Sequence, residues 1–176
     1  MTNYNLGYAC INHGFSQRPK NKRITTNRSM IKRTFQEKGL PYASELALQN
    51  CKDLLEILKW NNQNDIRFFR LSSNIFPWAS EYQLSALPDF DAISEALYEA
   101  GLFAAENNIR ITSHPGPFNK LTSPKESVIL NTIRDLEIHG EIFDLMFLER
   151  SPFAKINIHV GAAYDDKSMA INNFCK

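Results

Sequence analysis

Short apolar runs alternate along the chain with longer stretches in which apolar residues recur at helical spacing. The runs are residues 4–9, 66–71 (IRFFRL), 109–112 and 155–160 (KINIHV). In the first long stretch, about 42–60, Leu48, Cys51, Leu55 and Leu58 fall on one helix face. In the second, about 89–107, Asp89 is placed to cap a helix whose apolar side is Ile93, Leu97, Ala100 and Ala104. The third runs to about 148 and opens on Ser123, Pro124, Lys125 and Glu126. That order reads as a capping box with proline at the first helical turn, where its missing N–H costs nothing. A last helix begins near Asp166. Four strand–helix units predict a parallel sheet covered by helices, in one domain over residues 1–176.

Two architectures suit four such units. One is a small doubly wound sheet, the other part of a (β/α)8 barrel. A barrel needs about 200 residues or more, and the sequence has 176, so pattern alone favours the doubly wound sheet.

Polar residues mark one end of the sheet. Each strand is followed at once by groups foreign to a core: Tyr8, Asn12 and His13 after the first, SSNIFPW (72–78) after the second, SHPGPF (113–118) after the third. The fourth carries His159 near its end, before GAAYDD. In either architecture the carboxyl ends of parallel strands converge on the face where sites are built. His114 and His159 therefore start from neighbouring strands toward one pocket. Each imidazole alone reads equally as a hydrogen-bonded structural residue; together they suggest a pair of divalent-metal ligands. His139, inside a helical pattern, reads as support for that helix. Trp78, with Phe76 and Pro77, is read as core packing or as a stacking platform for an exposed base.

The composition adds one feature. Net charge is only +1, yet eight of the twenty Lys and Arg lie between Arg18 and Lys38, against a single acid, Glu37. Such a block is the footprint of phosphate neutralisation, or else a solvated loop. Three cysteines at no disulfide or ligand spacing suggest a reducing, intracellular setting. The opening MTNYNLGYAC shows no charged region followed by an apolar run, so no secretory signal is expected.

Taken together, four segments resemble the UV-damage endonuclease family. They are LGYACIN (6–12), the long stretch 25–80 from TTNRSMIKRTF through IRFFRLSSNIFPWAS, RITSHPGPF (110–118) and INIHVGAAYDDK (156–167). No general fold constraint dictates the stretch 25–80, so it argues against other barrel metalloenzymes such as abasic-site endonucleases or sugar isomerases. The resemblance implies a (β/α)8 TIM-barrel fold, with about the first four βα units present, and moves the expectation from doubly wound sheet to partial barrel. It implies incision of double-stranded DNA 5′ of UV photoproducts in excision repair, by a cluster of divalent metals that includes manganese. By position His114 and His159 match metal ligands, and Tyr8 and Asn12 match residues of the lesion pocket. Asn74 falls where some relatives carry a site histidine. Relatives commonly read HPGQ and then an aromatic at the probe of the distorted base pair. Here Pro117 removes the amide, and Phe118 keeps the wedge. Arg23, Arg28, Lys32 and Arg33 would lie near the DNA backbone. The family's remaining ligands come from later strands, so this sequence carries an incomplete metal site. It reads as an endonuclease, or as an inactive fragment or split half that needs a complementary carboxyl-terminal chain.

Overall fold

The computed structural model describes residues 6–160 and 164–175. Residues 4–5 of the expected first strand and 161–163 of GAAYDD lie outside the described residues. Four strands, β1 (Gly7–Ala9), β2 (Phe68–Arg70), β3 (Arg110–Ser113) and β4 (Lys155–Ile156), form one parallel sheet in the order β1-β2-β3-β4. The helices are α1 (His13–Ser16), α2 (Lys32–Gln63), α3 (Phe90–Glu106), α4 (Glu126–Leu145) and α5 (Lys167–Cys175). Sequential neighbours with no reversal of order distinguish an arc of a barrel from a doubly wound sheet, which turns back at a switch point. The fold is α/β and partial-barrel-like.

The register fixes which strand residues share a face. Tyr8, Phe69 and Ile111 are paired across β1 to β3, and Ser113 pairs with Ile156. Phe69 and Ile111 are buried among the helices, with Tyr8 and Ile156 packed beside them. Side chains alternate along a strand, so the other face carries Ala9, Arg70, Thr112 and Lys155 in one row, with Gly7, Phe68 and Arg110 below.

The helical expectations hold in outline and shift in detail. On α2 the fully buried apolar residues are Ala43, Ala47, Cys51, Leu54, Ile57 and Leu58. Leu48 and Leu55 sit at the rim of that stripe. Ahead of the expected helix, which begins just after Gly39, the chain forms a shorter helical segment from Lys32. It ends at Gly39, whose φ of 64° and ψ of −157° break the helix ahead of Pro41. A left-handed φ suits glycine, and the residue ahead of a proline's neighbour absorbs the kink. On α3 the expected face of Ile93, Leu97, Ala100 and Ala104 is buried as a unit.

Two caps differ from expectation. The Asp89 carboxylate makes no bond to the first turn of α3; it accepts from Ser44 Oγ at 2.7 Å and ties α3 to α2. The helix α4 starts at Glu126, after the expected box. Ser123 Oγ instead accepts from Lys125 N–H at 3.1 Å, a local turn that competes with the cap. Asp166 does cap α5, accepting from Met169 N–H at 2.9 Å.

The three helix-to-strand turns share one device. Asp65, Asn108 and Phe147 each take positive φ just past α2, α3 and α4. The next residue then donates to a carbonyl five residues back: Ile66 to Asn61, Ile109 to Ala104, Leu148 to Phe143. This double-bonded helix ending satisfies carbonyls that would otherwise lack partners and aims the chain into the next strand.

Candidate functional site

His114 and His159 come together at the carboxyl ends of β3 and β4, with ring centroids 4.7 Å apart and planes at 60°. His114 follows Ser113, which points into the helical layer, so strand alternation turns His114 to the opposite side. Its Nδ1 lies 2.8 Å from the Pro115 carbonyl oxygen. An N–H at that position donates to the carbonyl and leaves the Nε2 lone pair free to face an ion.

Behind His114 lies a buried polar chain. Ser113 Oγ is 2.6 Å from His139 Nδ1, and His139 Nε2 is 4.0 Å from Asp135 Oδ2. Asn119 Nδ2 donates to the same Asp135 carboxylate and to the Gly116 carbonyl. Burial holds the His139 pKa below the ordinary imidazole value; Asp135 pulls it up and His114 adds to the lowering. The helix residue that sequence alone reads as support for α4 thus fixes the end of β3 that presents His114.

Tyr8 and Asn12 are bound to each other. Asn12 Nδ2 donates to Tyr8 Oη at 3.0 Å, and Tyr8 O–H donates to Asn61 Oδ1 at 2.7 Å. Asn12 is buried, and its side-chain oxygen caps α1 by accepting from Phe15 N–H at 3.3 Å. Desolvation raises the Tyr8 pKa, the bonds to Asn12 and Asn61 opposing it. With Ile11, His13, Gly14, Trp60 and Ile66 these two residues line a depression of about 240 Å³.

Asn74 and Phe118 share a second depression of about 390 Å³, with Gly116, Asn119 and Asp135 in its wall. Phe118 is 87% exposed, an unusual state for a ring this large. Pro117 beside it is exposed as well. Trp78 is no free platform: its Nε1–H donates to the Met30 carbonyl at 2.9 Å and its ring stacks on Phe35 at 6.0 Å.

The basic stretch lies against the carboxyl ends of β1 and β2. Asn27 Nδ2 donates to the Cys10 carbonyl at 3.1 Å, and Ser72 O–H donates to Asn27 Oδ1. Two buried residues of α2 hold the loop from below. Asn50 accepts from Arg28 N–H and donates to the Arg28 and Ile75 carbonyls. Asp53 accepts from Thr25 N–H at 2.8 Å and pairs with Arg28 at 2.7 Å. The Arg28 guanidinium also donates to the Thr25 and Arg23 carbonyls, so it orders the loop. Arg23 donates to the Arg18 carbonyl, Arg33 pairs with Glu37, and Lys32 is exposed at the start of α2. The sequence singled out none of Asn50, Asp53, Ser113 or Asp135. Polar residues inside otherwise apolar helix stripes were the available signal for the first two.

The comparisons with known proteins bear on this arrangement. The sequence model of the family described as UV-endonuclease UvdE matches residues 4–176. The chain belongs to the UV-endonuclease family. A UV-damage endonuclease from Neurospora crassa is 40% identical over 144 residues, 78% of this chain and 21% of that protein. One from Schizosaccharomyces pombe is 35% identical over 173 residues, 97% of this chain and 28% of that protein. The crystal structure of SacUVDE superposes with a TM-score of 0.82 at 30% identity, covering 98% of this chain and 54% of that one. The chain therefore spans about half of the solved UV-endonuclease or less of the curated ones. Among the described residues, no helix is long and apolar enough to cross a membrane.

Proposed function

We propose that this chain supplies the amino-terminal half of a metal-dependent UV-damage endonuclease site, which incises duplex DNA 5′ of a photoproduct. The observation that carries the reading is the His114–His159 pair, 4.7 Å apart at adjacent strand ends in a chain of this family. Two imidazoles this close suit a divalent metal such as manganese. Among the described residues no group of three or more His, Cys, Asp or Glu is placed to hold a metal, so the pair fits part of a site whose other ligands come from elsewhere. When bound there, a divalent metal lowers the pKa of a water and neutralises charge on the phosphate.

The chain's own residues do the rest. The Ser113–His139 bond and the His114–Pro115 contact fix the direction of the His114 ring. Exposed Phe118 would wedge beside a distorted base, with Asn74 in the same depression, and Tyr8 and Asn12 would line the lesion from a separate depression at the end of β1. The test uses this chain joined to the carboxyl-terminal half of SacUVDE and a duplex carrying one defined pyrimidine dimer. Manganese-dependent nicking 5′ of the dimer is expected, reduced roughly 100-fold or more by His114→Ala or His159→Ala. Equal nicking by both variants would remove the ligand assignment, and equal cutting of undamaged duplex would remove the lesion reading.

Backbone binding is assigned to the basic loop. Replacing Arg23, Arg28, Lys32 and Arg33 together by Ala is expected to weaken binding to damaged and undamaged duplex alike and to flatten its salt dependence. Asp53→Ala should act in the same direction without removing a cation, because Thr25 and Arg28 lose their common anchor. Titrations at several salt concentrations measure both; an unchanged salt slope in the fourfold variant makes the block a solvated loop.

A further inference from the structure

The segment that leaves β3 carries His114 at its start and Phe118 at its tip, and α4 holds it at three points. Ser113 Oγ lies 2.6 Å from His139 Nδ1, the Asn119 side-chain amide donates to the Asp135 carboxylate, and Lys120 N–H donates to Thr132 Oγ1 at 2.9 Å. Positions 132, 135 and 139 share one helix face by their spacing, so one ridge of α4 fixes both ends of the loop. Between those ends the chain makes a tight turn. The Asn119 backbone N–H and side-chain amide both donate to the Gly116 carbonyl, at 3.2 and 3.1 Å, and close it. Pro117 and Phe118 are its central residues, and proline at the first of them presets the backbone. The tip stands clear of the body: a Cβ on Gly116 would meet no atom within 4 Å, and the Phe118 ring is exposed. Of the three anchors, Asp135 joins both ends. Its Oδ2 receives the Asn119 amide and stands 4.0 Å from His139 Nε2, whose other nitrogen meets Ser113. The Asp135 side chain is 28% exposed, in the wall of the depression beside Phe118. Among the described residues no Lys or Arg pairs with it. A carboxylate without a cation, on a surface offered to a polyanion, opposes phosphate binding. Charge therefore does not account for an acid here; the position of its oxygens does.

We propose that Asp135 is a positioning residue for lesion recognition: through Asn119 and His139 it sets where the Phe118 ring stands relative to His114. The inference rests on the reading of Phe118 as the wedge, and goes beyond it by naming the residue on which the wedge depends. A ring at the tip of a turn pivots with that turn, and stacking beside a base needs the ring at one height and angle. Released from Asp135, the turn keeps its own closing bonds to the Gly116 carbonyl and loses its orientation. The cations of the basic loop still hold the duplex backbone. Loss of Asp135 therefore lowers the preference for damaged duplex and spares the affinity for duplex in general. A packing role for the same carboxylate predicts the reverse, a lower thermal midpoint with the preference intact.

The test measures binding of the full 176-residue chain to a duplex with one pyrimidine dimer and to the same duplex undamaged. The proteins are wild type, Phe118→Ala, Asp135→Ala, Asp135→Asn, Asn119→Ala and the double variant Phe118→Ala, Asp135→Ala. Asp135→Ala is expected to cut the ratio of the two affinities by roughly fivefold or more, the low end of what one stacked base contributes. Its binding to undamaged duplex should be equal or tighter, since a negative charge is gone. Asp135→Asn loses the same charge but keeps a carbonyl oxygen for Asn119, and should retain most of the ratio. Asn119→Ala cuts the same link from the loop side and leaves α4 intact, so it should show the loss whether or not Asp135→Ala folds. The double variant should lose no more than either single one, because both act through one ring. The proposal is overturned if Asn119→Ala or a folded Asp135→Ala keeps the wild-type ratio while Phe118→Ala loses it. It is also overturned if the losses from Asp135 and Phe118 add, or if Asp135→Asn fails as badly as Asp135→Ala. A wild-type chain without preference for the dimer, or a preference that Phe118→Ala leaves untouched, would instead remove the wedge reading itself, and this inference with it.

Discussion

The 176-residue chain alone, supplied with manganese, is expected to leave a duplex with one pyrimidine dimer uncut over hours at a concentration where the joined protein finishes in minutes. Phosphodiester cleavage depends on charge stabilisation at the phosphate, and the proposed site draws on just two metal ligands among the described residues, His114 and His159. Two neutral imidazoles leave most coordination positions of a divalent metal to water, and occupancy falls accordingly. Phe118 and the basic loop would still meet the duplex, so binding without incision is the expected signature. A gel assay on end-labelled duplex, run beside a binding titration, separates the two. Metal-dependent nicking 5′ of the dimer by the free chain, abolished by His114→Ala, would sink this expectation and show that two ligands suffice.

Gly101→Ala carries the largest expected effect on stability. Gly101 is buried in α3, and a methyl there would stand 1.8 Å from the Met146 carbonyl oxygen and 2.7 Å from its carbon. Both are backbone atoms at the end of α4, so no rotamer change relieves the clash. Alanine favours a helix over glycine by about 1 kcal/mol, yet overpacking against a fixed backbone costs about 3 kcal/mol or more. A net loss of about 2 kcal/mol or more is a large part of the 5–15 kcal/mol typical of a whole domain. Urea unfolding should show a lower midpoint with an unchanged slope. A raised midpoint would mean that α3 and α4 do not meet at this residue.

The strands, the helices α2 to α5 and the end of the sheet that bears the site were legible because each rests on local periodicity. The face of α3 shows this well, since Ile93, Leu97, Ala100 and Ala104 repeat at helical spacing. What was not legible depends on partners distant in sequence. The short helical segment from Lys32 was hidden, because Gly39 ends it with non-helical φ and ψ and Pro41 then stands in the first turn of the expected helix. Ser123 and Asp89 carry capping chemistry but spend it on Lys125 N–H and on Ser44. Only two residues of KINIHV pair as a strand, because their partner β3 ends at Ser113, opposite Ile156. At the site, the meeting of His114 and His159 followed from their strand positions. The Ser113–His139 bond, 26 residues apart, had no local signal. Nor did the division of labour in the basic block, where Arg28 folds the loop while Lys32 stays exposed.

The order β1-β2-β3-β4 has a consequence for synthesis. Each strand pairs with the one made just before it, so when a strand leaves the ribosome its partner is already outside. No segment waits for a later one in order to complete this sheet, and each helix covers the strands on either side of it in turn. Growth at ≈ 5–20 residues per second gives every βα unit seconds to dock before the next appears. The growing edge of the sheet thus moves along with the nascent chain, always at the newest strand.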